Sequence, residues 1–328
     1  MPLRRTALAS VAAALLACST APRPPAATAT SPDVATVLAE ADAALGLAQF
    51  EVAGARYEEA ARLDPKDPRP PLGLARVRFA AAQSAEGLAL LDRSIVLGAT
   101  PEALLLRGKT FGVARRFDEA ARDLDRSLAL APGDGSAWPI LAAVEVNRGD
   151  ELAARRAWEG AVKALGASVA ADRLWTMLLA MPPDPQEPQE SLDRCARGQV
   201  AMFQERWPEA AHEQRNALRN APRFSWCIAL AAETTARLGD PAKAERLFRS
   251  ALAGYPDRLA TLRADTQAWL ARLLLARGGD AREATDLARA SLAVRGERAA
   301  TLEILAKACA AAGDALCAHE TNQRLLRR

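Results

Sequence analysis

The chain has 328 residues, 78 of them alanine, with 25% charged and 5% aromatic side chains and a formal charge of +3. That balance points to helix and away from a sheet-built protein, which needs more β-branched and aromatic residues. The small net charge argues against a nucleic-acid partner, whose usual footprint is a clustered basic face, and two histidines with five cysteines leave little material for a histidine-based metal site or a catalytic triad.

At the N-terminus, Arg4 and Arg5 precede an apolar stretch from Ala7 to Ala17, followed at once by Cys18. A basic start, a short apolar core and small residues at its end describe a secretory signal; a spanning helix would need about 20 residues. Leu15-Leu16-Ala17-Cys18 resembles the lipobox of bacterial lipoproteins. The resemblance implies that residues 1–17 are a signal peptide and that Cys18 is lipidated. Ser19, standing where Asp is absent, implies by the same likeness passage to the outer membrane, facing the periplasm. The plainer reading is an ordinary cleaved signal with an incidental cysteine. The segment that follows, STAPRPPAATATSP, has no apolar period, so residues 18–32 read as the lipidated Cys and a Pro/Ala-rich linker. At about 3 Å per residue it could hold a folded body roughly 40 Å from its anchor.

From residue 33 onward the chain repeats. Pro65 and Pro132 lie 67 residues apart, and Pro222 and Pro256 lie 34 apart. Small and large residues recur in the same register. The first unit carries Ala41, Ala53, Tyr57 and Ala60. A unit from Pro101 carries Gly108, Ala120, Leu124 and Ser127, and one from Gly135 carries Ala142, Ala154, Trp158 and Ala161. Units from Ser191 and Ser225 carry Gly198, Ala210 and Ala217, then Ala232, Ala244, Phe248 and Ala251. Residues 68–100, 265–298 and 299–328 fit less well, with Arg272 at a position where the others are small. Midway through four units stand Gly149-Asp150, Gly239-Asp240, Gly279-Asp280 and Gly313-Asp314, a glycine to end one helix and an aspartate to cap the next. This pattern resembles the tetratricopeptide repeat family over nearly all of 33–328. The resemblance implies an all-α solenoid of about eight helical hairpins, in subarrays 33–168 and 191–328. Between them, Ala170 to Met181 read as an extra amphipathic helix with Leu174, Trp175, Leu178 and Leu179 on its apolar side. MPPDPQEPQ then forms a proline-rich connector. The stretch 169–190 is a spacer or a support for a binding site.

Candidate chemistry is sparse. His212 and His319 have no ligand-spaced partner, so no metal and no cofactor is expected. No phosphate-binding or nucleophile motif occurs, so the chain reads as a non-enzyme without catalytic residues or a small-molecule substrate. With Cys18 taken by lipid, Cys195, Cys227, Cys309 and Cys317 remain. A disulfide between Cys309 and Cys317, across the turn at Gly313, is the preferred pairing for an exported chain. Cys195 with Cys227 is a weaker second, and four buried free thiols are the alternative.

The resemblance places a partner groove on the first helices, at Arg76, Phe79, Lys109, Asn147, Gln199, Met202, Phe203, Trp269 and Arg277, though the apolar ones could equally be core. Leu38, Asp42, Leu72, Arg76 and Leu105 depart from the Lys/Asn pattern with which chaperone-binding members grip a terminal carboxylate. The expected function is a lipid-anchored scaffold that binds another envelope protein or peptide, in the manner of lipoproteins serving secretion, pilus or outer-membrane assembly. The rivals are an enzyme-associated or carbohydrate-acting protein, and a cytoplasmic adaptor if the signal reading fails.

Overall fold

The computed structural model describes residues 33–327; the stretches expected to be a signal peptide and a linker, with Cys18, lie outside the described residues. The described chain is all helix, with no strand. The first half contains four helical hairpins: α1 (Val34–Gly46) with α2 (Phe50–Leu63), α3 (Arg69–Ala80) with α4 (Ser84–Leu97), α5 (Pro101–Val113) with α6 (Phe117–Leu130), and α7 (Ala137–Arg148) with α8 (Glu151–Leu165). A lone helix, α9 (Ala167–Ala180), follows. Four more hairpins complete the chain: α10 (Gln189–Phe203) with α11 (Trp207–Asn220), α12 (Ser225–Arg237) with α13 (Pro241–Gly254), α14 (Ala260–Ala276) with α15 (Ala281–Arg295), and α16 (Ala299–Ala311) with α17 (Ala315–Leu326). Each hairpin packs on the next in chain order, with α9 standing between the fourth and the fifth, which makes the array a helical-hairpin solenoid.

The repeat is sharpest in the backbone. Every first helix ends at a residue in the left-handed region: Ala48, Ala82, Arg115, Gly149, Glu205, Gly239, Gly278 and Gly313, with φ between 57° and 90°. The amide after the left-handed residue donates back across the turn, as from Asp150 to the Glu145 carbonyl and from Asp314 to the Cys309 carbonyl, which closes the helix end. These eight positions stand 34, 33, 34, 56, 34, 39 and 35 residues apart. The longest interval holds α9 and its connector. The 39-residue interval holds a 3-10 turn, Asp257–Leu259, that starts α14 early. Four turns carry the aspartate cap: Asp150, Asp240, Asp280 and Asp314 accept from the backbone N–H of Ala153, Lys243, Glu283 and Cys317. At the other four the cap position holds Gln49, Gln83, Arg116 or Arg206 without a side-chain cap bond.

The small residues of the repeat are where helices touch. Ala41, Ala53, Ala60, Ala120, Ala210, Ala217, Ala232, Ala244 and Ala251 are all fully buried. Tyr57, Leu124 and Phe248 fill the space beside them. The core does not break at the middle of the chain. α9 buries Ala170, Leu174 and Leu178 in one cluster with Trp158 of α8 and Val200 and Phe203 of α10. The connector is tied down as well. Arg115 donates to the Pro182 and Pro183 carbonyls at 2.8 and 3.2 Å, and Arg258 donates to buried Asp184 at 3.1 Å.

Candidate functional site

The first helices of a hairpin solenoid line its concave side, so the two halves can be compared along that face. In the first half the face is open. Leu38, Asp42 and Leu45 of α1, Tyr57 of α2, Arg69, Leu72 and Arg76 of α3 and Glu102 of α5 line a cleft of about 400 Å³. Its polar groups are already in register with one another. Tyr57 donates to the Asp42 carboxylate at 2.5 Å, Arg69 grips buried Asp67, and Arg76 pairs with Glu102. One hairpin further, Lys109 is exposed and has no ion-pair partner among the described residues. Phe79 is half-buried, with its ring against the backbone of Gly87.

In the second half the face is occupied by the chain itself. The turn between α7 and α8 packs against α14 and the end of α15 and faces α10 and α12 across a cavity of about 40 Å³. Arg272 of α14 reaches Glu151 at 2.9 Å and Glu233 of α12 at 3.0 Å. Arg295, at the end of α15, donates to the Asn147 carbonyl at 3.4 Å and, through Nε, to Asp265 at 2.8 Å. At Gly149 the fit is tightest: a Cβ there would lie 2.1 Å from the Asp265 carboxylate carbon. Clefts remain on either side of the inserted turn. One runs between Glu151, Arg155, Gln199, Trp207 and Trp269, the other between Arg156, Arg272, Arg298 and the start of α16.

Burial governs the electrostatics of this contact. Asp265 and Arg295 form an ion pair with side chains only 6% and 8% exposed. Burial pushes the Asp265 carboxyl up from 3.8 to about 6, even though Arg295 pulls it down. Burial also lowers the Arg298 guanidinium, with Arg295 adding like-charge repulsion. For Arg272 burial works in the same direction, but Glu151 and Glu233 outweigh it and hold the guanidinium above its ordinary value. Removing one partner of the buried Asp265–Arg295 pair would leave a charge costing about 3–5 kcal/mol, whereas Arg272, with its side chain 40% exposed, is paired nearer the solvent.

The groove expected from the sequence therefore needs correcting residue by residue. Asn147, Gln199, Met202 and Phe203 are buried and belong to packing. Asn147 donates to the Ala143 and Met181 carbonyls, each at 3.0 Å. Gln199 lies beneath the inserted turn with its amide oxygen unpaired. Met202 accepts from Gln214 at 3.3 Å, and the Phe203 ring packs 6.0 Å from Trp158. Trp269 is half-buried against Phe248, with ring centroids 6.3 Å apart. Arg277 is exposed but held by Glu245 at 2.5 Å. The physical reasons differ: α9, its connector and the adjoining helices cover Asn147, Met202 and Phe203, whereas the array curves far enough to bring its own α7–α8 turn over Gln199. The sequence register puts Arg272 at the small position of its repeat, but counted back from the left-handed Gly278, as Ala232 is from Gly239, that position is Ala271, which is fully buried. Arg272 stands beside it and carries no signal for this contact. Glu151, Asp265 and Arg295 carry none either.

Cys309 and Cys317 are disulfide-bonded across the α16–α17 turn, with Cα atoms 5.7 Å apart. Cys195 and Cys227 are free thiols, both buried. Among the described residues no three His, Cys, Asp or Glu side chains converge as metal ligands, and no helix is long and apolar enough to cross a membrane.

No family model and no curated protein sequence matches the chain. Among solved structures it is similar to a tetratricopeptide repeat protein from Parabacteroides merdae, at 11% identity and a TM-score of 0.40, covering 84% of this chain and 98% of that one. It is similar to MamA protein at 15% identity and 0.40, covering 57% and 95%. It is also similar to YrrB, described as a tetratricopeptide protein with an unusual peptide-binding site, at 14% identity and 0.31, covering 69% and 89%.

Proposed function

We propose that this chain is a lipid-anchored scaffold of the bacterial cell envelope that binds a segment of another envelope protein on the open concave face of its first half. The observation that supports the reading is the contrast between the halves: the second-half face is filled by the α7–α8 turn, whereas the cleft along α1, α3 and α5 is open. Buried Leu38 and Leu72 form its floor, and Arg69, Arg76, Asp42 and Glu102 rim it. A mixed, hairpin-lined trough of this kind suits an extended or helical peptide. Exposed Lys109 and half-buried Arg76 favour acidic side chains or a terminal carboxylate on the partner. Anchoring at Cys18 and residence at the outer membrane, facing the periplasm, complete the proposal on the strength of the Leu15-Leu16-Ala17-Cys18 motif.

The test is chemical crosslinking in intact cells followed by recovery of the tagged full chain. Arg76→Glu together with Lys109→Glu should abolish the crosslinked partner band and leave the helical signal unchanged. Arg122→Glu with Arg126→Glu, on second helix α6, serves as the control. Loss of the band in the control but not in the cleft variant would move the site to the opposite face. The anchor is tested separately by intact mass of the membrane-extracted protein: acyl chains on Cys18 are expected, and an unlipidated mature N-terminus elsewhere overturns that part.

A further inference from the structure

The Cys309–Cys317 disulfide has two unlike ends. Cys309 has no exposed surface and lies in an apolar cluster with Leu302 and Leu305. Cys317, in the first turn of α17, is partly exposed. It forms part of the wall of a cleft of about 350 Å³ whose lining does not include Cys309. Arg289 and Leu292 of α15, Leu305 of α16 and Glu320 and Arg324 of α17 line the same cleft. Arg289 donates through Nη2 to the Cys317 sulfur at 3.3 Å. It is exposed and is in no ion pair among the described residues, whereas Arg324 is held by Glu297 at 2.6 Å. A structural staple needs neither an accessible sulfur nor an unpaired cation beside it.

We propose that this disulfide exchanges with a small thiol that carries a carboxylate, and that Cys317 is the sulfur attacked. The thiol, RSH, enters through the cleft as its thiolate and meets Cys317, while Arg289 receives its carboxylate. The thiolate attacks the Cys317 sulfur. A bond between RS and Cys317 forms, the Cys309–Cys317 bond breaks, and its electron pair leaves with the Cys309 sulfur. That sulfur takes up the proton given up by RSH, since apolar surroundings favour the neutral thiol. Cys309 is thereby reduced, and the sulfur of RSH is oxidised into the mixed disulfide. In the reverse step Cys309 attacks Cys317, expels the thiolate and restores the bond. Asp314, which accepts from the Cys317 N–H at 3.0 Å, and Glu320 in the cleft wall both repel an anion, so the preference for a carboxylate rests on Arg289. The inference depends on neither the anchor nor the partner cleft of the first half.

The oxidised full chain with Cys18→Ser is treated at low salt, folded and in urea, with mercaptopropionate, a carboxylate thiol, or mercaptoethanol, a neutral one. Acid quenching, alkylation and peptide mapping follow the disulfide and any mixed disulfide. Dividing each folded rate by its rate in urea removes the intrinsic difference between the two thiols. The expected product carries the thiol on Cys317 and an alkylated Cys309. The folded-to-urea ratio should be about two- to fivefold higher for mercaptopropionate. Arg289→Gln should erase that preference and leave the mercaptoethanol rate unchanged. Folded Cys309→Ser, which cannot resolve an adduct, should take up mercaptopropionate from its disulfide at Cys317, and folded Cys317→Ser should take up none at Cys309. If either serine variant fails to fold, the map of the parent chain decides the site. An adduct on Cys309, no reaction of the folded chain, equal ratios for the two thiols, or a preference that survives Arg289→Gln each overturns the proposal.

Discussion

Gly149→Ala is the most direct test of whether the α7–α8 turn closes the second-half face in solution. Gly149 has φ of +69°, and an alanine held there costs about 1–2 kcal/mol for the left-handed backbone alone. Gly239, in the equivalent turn of α12–α13, has φ of +90° and nothing within 4 Å of its added Cβ. Gly239→Ala therefore measures the backbone penalty by itself. At Gly149 the same methyl also meets the Asp265 carboxylate, 2.1 Å away. Either Asp265 is driven off Arg295 or the turn retreats and gives up Glu151–Arg272 and the Asn147 carbonyl. Overpacking of a tight site costs about 1–3 kcal/mol, and breaking a buried pair costs about 3–5 kcal/mol. The two routes are alternatives, so an extra loss of about 2–4 kcal/mol is expected over Gly239→Ala. Urea unfolding followed by circular dichroism gives the difference in midpoint. Hydrogen exchange at residues 147–152 should rise at the same time. Equal losses for the two alanine variants, with unchanged exchange at 147–152, would refute the inserted turn.

Three further outcomes follow from particular residues. Burial raises the Asp265 carboxyl from 3.8 to about 6, so between those values the folded chain holds a proton the unfolded chain has released. The associated stability is complete below that window and is lost as pH rises through it; Asp265→Asn should flatten this segment of the midpoint-versus-pH curve, and an unaltered slope contradicts the assignment. The Cys309–Cys317 bond closes a loop with a sequence separation of 8, worth about 2–3 kcal/mol in the chain-entropy model. Reducing it should speed exchange in α16 and α17, the two helices that it ties together, and exchange confined elsewhere would speak against it. Ala82 holds φ of 58° in an exposed turn, so Ala82→Gly should raise the thermal midpoint by up to about 1 kcal/mol of stability; a lowered midpoint would mean that the turn is not left-handed there.

What the sequence determined by itself was the small-residue packing and the Gly-Asp turns, both set within one hairpin or between adjacent ones. Alanines at the crossing points, a large residue beside them and Gly-Asp at the turns act over a few residues. The register of Ala41, Ala53, Tyr57 and Ala60 was legible as packing before any coordinates, and all four are buried. The four Asp caps were legible for the same reason, since a cap reads only the next three residues. The left-handed turns at Ala48, Ala82, Arg115 and Glu205 were not, because nothing in those side chains announces the conformation; the stacking of neighbouring hairpins imposes it. The state of the concave face was decided only in three dimensions. Arg272 meets Glu151 across 121 residues and Arg295 meets the Asn147 carbonyl across 148. Such contacts depend on the summed rotation of each hairpin on the next, and on α9 standing where a full hairpin would otherwise be. Small angles accumulated over several units are not written at any one position, so Gln199 could be placed on a first helix from sequence while its cover by the α7–α8 turn was decided only by the closure of the solenoid, and the cover of Asn147, Met202 and Phe203 by α9, its connector and the adjoining helices was decided only by packing.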